Sequence, residues 1–181
     1  MLPTLTTPRL HLRALDEADV PALFRLFSTA SALHYWSHVP FAHPDQAAAL
    51  LKSAQAGIES GTSLRWGVAE ASDLAQVIGT ASLYQIDLDN RRAEVGFILA
   101  PALWGRGYGG EVIGALIGYA FSSLALYRLE ADVDPRNTAS LRALERHGFQ
   151  REGYLRARYR VGGEVQDSVL LGLLRDEAET E

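Results

Sequence analysis

The 181-residue sequence contains no cysteine. That excludes disulfides, a cysteine nucleophile and thiolate-ligated metals. Basic charge is not in excess either. The 17 Lys and Arg stand against 22 Asp and Glu, giving a net charge of −5. Such a surface does not gather nucleic acid by bulk electrostatics, so no nucleic-acid partner is expected, and cationic substrates are mildly favoured. Long apolar runs are missing too. The longest, Val112 to Ala120, is broken by glycines and too short to span a bilayer. Met1 to Leu15 lacks a basic segment followed by an apolar run, so no signal peptide is expected. There is no internal repeat and no low-complexity linker. The expectation is a cytoplasmic chain with no membrane partner.

What remains is ordinary globular material, 48% apolar and 22% charged, and its length suits one domain over residues 1–181. Arg9 to Leu15 alternates apolar and polar residues, which reads as a strand with one buried face. Asp16 is an N-cap for a helix carrying Ala18, Leu23, Leu26 and Phe27. Pro44 opens a second helix that Gly61 stops. Leu64 to Glu70, Gln76 to Ile86 and Arg92 to Leu99 read as an antiparallel meander. A glycine-rich loop leads into a helix over Glu111 to Leu124, apolar on nearly every side and therefore covered. Arg128 to Asp134 follows as a strand, so Arg92 to Asp134 forms a β-loop-α-β unit with parallel strands. Asn137 to His147 is a shorter helix capped by Gly148. Phe149 to Val161 and Val165 to Leu174 make a hairpin around Gly162-Gly163. The fold class is α/β (α+β): one domain around a mixed, mostly antiparallel, twisted sheet with a central β-loop-α-β crossover, flanked by helices.

Trp104-Gly105-Arg106-Gly107-Tyr108-Gly109-Gly110-Glu111 carries the most chemistry. Glycines let a backbone approach a ligand closely, and a loop opening a helix presents free N–H groups with a positive dipole end. Together they suit a diphosphate; a tight connection without a ligand is the alternative. The Walker A pattern is excluded because Glu111 follows Gly110. Gly105, Gly107 and Gly110 do match the dinucleotide spacing G-x-G-x-x-G, with Asp132 about 20 residues on. Against that stand the five residues between Leu99 and Gly105, and the lack of further β-α repeats after Asp134.

Glu94-Val95-Gly96-Phe97-Ile98-Leu99, followed by Trp104 to Gly109, resembles the coenzyme A signature of the GNAT superfamily of N-acetyltransferases in its Rim-type form. Asn137-Thr138-Ala139-Ser140, continuing to Glu145-Arg146-His147-Gly148-Phe149, resembles the second signature of that branch. Thr7 to Arg13 and Gly153 to Val165 are also similar, so the resemblance covers nearly the whole chain. Two positions depart from the family pattern. Trp104 replaces the usual Gln or Arg before the central glycines, and Leu144 stands where many members carry a tyrosine general acid.

The resemblance implies direct acetyl transfer from acetyl-coenzyme A to an amine, without a metal. With no cysteine and no Gly-x-Ser-x-Gly elbow, an acyl-enzyme is not expected. Family position makes Glu94 the base, its pKa raised by partial burial; the alternative is a strand glutamate paired with Arg91 or Arg92. The resemblance implies that Phe97, Ile98, Leu99, Trp104, Gly105, Arg106, Gly107, Tyr108, Gly109, Gly110 and Asn137 bind the coenzyme. The resemblance further implies that an N–H near Ile98 or Leu99 is the oxyanion donor and that a bulge there splays the strands to admit the pantetheine arm. The resemblance makes Asn137 a pantetheine contact; the alternative is a simple helix N-cap, and both can hold at once. Ser140 substitutes for the missing acid or packs as a small residue.

On the acceptor side the resemblance assigns Tyr35, Trp36, His38 and Tyr84, with Phe41 nearby; the alternative for these aromatics is a core plug. His34 and His38 have metal-binding spacing if helical, but no third ligand is evident. Arg156, Arg158 and Arg160 alternate along a strand, as a solvated edge or as a site for an acidic group. The acceptor is a protein N-terminal α-amine or a small-molecule amine, and a homodimer is allowed. Two other functions compete: a non-catalytic acyl-coenzyme A sensor and a nicotinamide-dependent oxidoreductase.

Overall fold

The computed structural model describes residues 2–178. Their strands form one eight-stranded sheet in the order β1-β2-β3-β4-β5-β6-β8-β7. These are β1 (Leu5–Thr6), β2 (Leu10–Arg13), β3 (Leu64–Glu70), β4 (Asp73–Asp87), β5 (Arg92–Leu99), β6 (Arg128–Val133), β7 (Gln150–Val161) and β8 (Glu164–Leu174). All neighbours are antiparallel except β5 and β6. A doubly wound dinucleotide fold needs consecutive parallel crossovers, so this topology excludes the oxidoreductase reading. The sheet matches the expected mixed, mostly antiparallel α/β architecture.

The helices α1 (Val20–Ser28) and α2 (Pro44–Ser60) cover one face of the sheet. Leu23, Leu26, Phe27, Ala47 and Leu51 pack there with Val77 and Ile98. The helices α3 (Tyr108–Gly118) and α4 (Thr138–Glu145) cover the other. Val112, Ile113, Leu116, Leu141 and Leu144 join Trp66, Leu83, Val95 and Leu129 there. Each fully buried large side chain, such as Trp66 or Phe27, contributes about 2–3 kcal/mol. A short α5 (Arg175–Ala178) ends the described chain.

Local chemistry sets the boundaries. Asp16 accepts from the Ala18 N–H at 2.8 Å, and Asp19 returns the bond to the Asp16 N–H at 2.9 Å. Gln46 accepts from the N–H groups of Ala42 and His43 at the start of α2. Gly61, at φ +72°, ends that helix as only glycine does without strain. The helix read as Glu111 to Leu124 instead begins at Tyr108, because Gly107 turns the chain at φ +82°. It loosens into a π turn at Tyr119–Ser123. Strand β1 and helix α5 are too short to leave a periodic signal.

Candidate active site

The parallel pair β5/β6 is joined only through Arg92, Ala93 and Glu94, which pair with Arg128, Leu129 and Glu130. Beyond Glu94 the strands diverge, although β5 runs on to Leu99 and β6 to Val133. The expected bulge near Ile98 is not the cause: β4 and β5 stay in register from Tyr84–Glu94 to Gly79–Leu99. The extra residue is on β4, between Tyr84 and Asp87, where Gln85 takes φ +50°.

The Ala100 N–H donates to Ile78 O on the β4 side. By the two-residue repeat of a strand, Ile98 and Gly96 also turn toward β4. The main-chain groups of Phe97 and Leu99 therefore face the gap, which selects Leu99 over Ile98 as the N–H donor there. The Leu99 carbonyl is already taken, accepting from the Trp104 indole at 2.9 Å.

At the mouth of the gap lies the glycine loop. Among the described residues, the N–H groups of Gly105, Arg106 and Gly107 have no hydrogen-bond partner. Those of Tyr108 and Gly109 begin a helix and have none within it. Gly105 has φ +76° and open space where a Cβ would stand. Gly110 serves differently: its N–H bonds Gly107 O at 3.1 Å, and a Cβ there would lie 3.4 Å from His147 Cε1. The Tyr108 side chain also turns away, its hydroxyl donating to Glu70 at 2.5 Å, so only its main chain faces the mouth. The N-terminal segment braces the loop. Thr7 and Arg9 bind Glu111, Arg9 donates to Arg106 O at 2.9 Å, and its guanidinium stacks on Tyr108.

Inside the gap is a cavity of about 150 Å³ whose lining includes Tyr35, Trp36, Tyr84, Phe97, Asn137, Ser140 and Leu144. The structure thus brings together aromatics from the α1–α2 segment with residues of β4, β5 and α4. Asn137 caps α4, its side chain accepting from Ser140 N at 3.1 Å. The Ser140 hydroxyl has no partner among the described residues. His38 does not line the cavity: it lies against the stacked pair Phe27–Phe41, and its Nδ1 contacts Val39 O. The segment around His34 and His38 is a series of turns, so the pair lacks helical geometry. Among the described residues no group of three or more ligating side chains could hold a metal.

Glu94 stands at the apex, where the strands part. Its carboxylate accepts from Gln85 at 2.5 Å. Arg92 bonds Glu130 and Asp87 instead, and Arg91 bonds Ala125 O, so the expected alternative pairing is absent. Burial first, then the negative charges of Asp132 and Glu130, push the Glu94 pKa up. Burial likewise raises that of Tyr84, with Glu94 adding to it.

Sequence reasoning missed Asp132, Tyr159, Gln166 and Asp167 as cavity residues. Tyr159 donates to Asp132 at 2.9 Å, and Ser168 also bonds it. A bulge between Leu155 and Tyr159, with Ala157 at φ +54°, breaks the arginine alternation and brings Arg158 within 3.6 Å of Asp132. The signal was Asp132 itself, an acid near the end of a strand beside the gap.

Residues 9–150 match the family model described as Acetyltransferase (GNAT) domain. The chain belongs to the GNAT acetyltransferase family. It is 33% identical over 175 residues to the uncharacterized N-acetyltransferase YoaA of Bacillus subtilis, covering 97% of this chain and 98% of that one. It is 28% identical to a spermidine N(1)-acetyltransferase of Vibrio cholerae, over 88% and 89% of the two chains. A crystal structure of spermidine N-acetyltransferase from Vibrio cholerae, in complex with CoA and spermine, superposes with a TM-score of 0.84 at 26% identity. It covers 95% of this chain and 99% of the other. The acetyltransferase is accordingly an acetyl-coenzyme A-dependent enzyme acting on amines. Its residues fit that co-substrate: unpaired amides at the loop suit a diphosphate, and the open edge of β5 suits an extended amide-bearing arm.

Proposed function

We propose that this acetyltransferase acylates the primary amine of a small molecule held between Tyr35, Trp36 and Tyr84, with Glu94 as base. The supporting observation is the parting of β5 and β6 at Glu94, which opens directly onto that aromatic-lined cavity. Acetyl-coenzyme A supplies the activated acetyl group. The free amides of Gly105 to Gly109 hold its diphosphate, and the exposed edge of β5 at Phe97 orients its arm. Glu94, with its raised pKa, takes the proton that the amine loses. The Leu99 N–H, facing the gap, is placed to donate to the acetyl oxygen as charge develops. Ser140 and Tyr84 both bring hydroxyls to the cavity to protonate the departing sulfur, a role that buried Leu144 cannot fill. The spermidine acetyltransferases among the relatives support a small acceptor.

A second reading has one specific support. Trp104 with the Asn137–Phe149 motif resembles the Rim-type branch, whose acceptor is a protein N-terminus. Thiol release from acetyl-coenzyme A, measured against a panel of diamines, amino acids and short peptides, separates them. Turnover with small amines supports the first reading; turnover confined to peptides overturns it.

A further inference from the structure

The carboxylates of the cleft already have partners in the protein. Asp132 is held by Tyr159, Ser168 and Arg158. Asp134 pairs with Arg136 at 2.6 Å. Asp167 accepts from Tyr154 and from the Ala157 N–H, and Glu94 accepts from Gln85. Arg65 differs. It is a part-buried residue of β3 whose guanidinium has no hydrogen bond or ion pair among the described residues. None of its nitrogens is fully sealed from solvent.

Arg65 stands just outside the residues that line the cavity, and the register places it in a row that leads to them. It pairs with Ser82 of β4, and Ser82 pairs with Gly96 of β5, so the three form one row on the face covered by α1 and α2. Tyr84, two residues along β4, shares that face. Its ring leans into the same row: a Cβ on Gly96 would lie 3.0 Å from Tyr84 Cε1. Gly96 and Tyr84 both line the cavity. Two strand spacings, about 10 Å, separate β3 from β5, and a long arginine side chain covers much of that gap. The Tyr84 phenol is the titratable group that acts on the Arg65 charge.

A half-buried cation without a counter-charge is costly, and an apolar side chain in this row would cost less. The fork of N–H donors on a guanidinium matches a carboxylate in two parallel bonds. We propose that Arg65 binds a carboxylate on the acceptor, so that the enzyme's amine substrate is an amino-carboxylate with its amine turned toward Glu94. This rests on the cleft being the acceptor site. A polyamine, cationic at both ends, would meet the Arg65 charge unfavourably.

Matched acceptors test it: lysine against 1,5-diaminopentane, and phenylalanine against phenethylamine, by thiol release and by calorimetry on the enzyme–coenzyme A complex. The wild type should favour the carboxylate member of a pair by about tenfold or more in kcat/KM, the scale of one charge-assisted contact. Arg65→Met should erase that preference while leaving the decarboxylated amine within about threefold. Arg65→Lys should restore part of it. Because Arg65 has no hydrogen-bond or ion-pair partner among the described residues, Arg65→Met should melt no lower than wild type. Binding of the amino acid without turnover would overturn the transfer reading yet keep the Arg65 assignment. Equal or better use of the decarboxylated amines, no binding of any carboxylate, or a clear drop in melting temperature in Arg65→Met overturns the proposal.

Discussion

Glu94 and Glu130 are the last pair to join the two parallel strands before they part. The two acids stand side by side where the sheet opens, and the charge of Glu130 adds to the burial and the Asp132 charge that disfavour ionisation of Glu94. Burial does most to tune the candidate base, and the neighbouring acids add to it. Glu94→Gln should lower kcat by about 10²–10⁴-fold while leaving acetyl-coenzyme A binding intact. Stopped-time thiol release together with coenzyme titration checks both halves; unchanged kcat removes Glu94 from the mechanism.

The same group sets a pH dependence. The base must be ionised, so the rate rises with pH through a pKa above the ordinary carboxylate value, and this limb is missing in Glu94→Gln. The stability effect has the opposite sign. A folded-state pKa above the unfolded value of about 4.3 stabilises below that value, and the contribution is lost as pH rises through the folded pKa. Glu94→Gln should therefore unfold no earlier than wild type at pH 8 in a thermal melt.

Gly105 and Gly107 should respond differently to alanine. Both have positive φ, costing about 1–2 kcal/mol for a residue with a Cβ. At Gly107 the new methyl would also stand 3.2 Å from Arg9 Nη2, disturbing the brace on the loop. At Gly105 it meets only open space, where a diphosphate would lie. Gly105→Ala should raise the KM for acetyl-coenzyme A and lower the melting temperature only by what its φ costs, whereas Gly107→Ala should raise the KM and lose more stability, because the Arg9 brace is disturbed as well.

How much of this was readable beforehand differs by element. The Asn137 cap, the Gly61 stop and the Gly162-Gly163 turn, with φ +56° and +89°, were legible because each is dictated within a few residues. The glycine loop was legible for the same reason. What Tyr159, Gln166 and Asp167 contribute was not. They reach the cavity because β8 pairs with β6 and because a bulge re-aims β7, and neither pairing nor bulge leaves a mark in periodicity. His38 was misplaced since an aromatic-rich segment does not say which ring faces the core and which the cleft.

Acid should attack the molecule at Arg13 and Asp19. Burial alone would raise the Asp19 pKa, but hydrogen bonds from Arg13 and the Asp16 N–H outweigh it, and the net value is lowered. A lowered pKa stabilises above the unfolded value and is lost as pH falls through the folded one. Asp19, with its side chain 3% exposed, bonds Arg13 at 2.7 Å. Asp19→Ala should cost about 3 kcal/mol, leaving Arg13 uncompensated, and should flatten the acid limb of a melting-temperature profile below about pH 4.

The strand order has a consequence for synthesis on the ribosome. β6 is complete at Val133, yet its outer neighbour β8 ends only at Leu174. For some forty residues of translation the nascent chain carries a bare strand edge beside the cleft. Only the closing hairpin shields it. Premature release in that window leaves a species primed for edge-to-edge association, whereas ribosome stalling after residue 174 has entered the open does not.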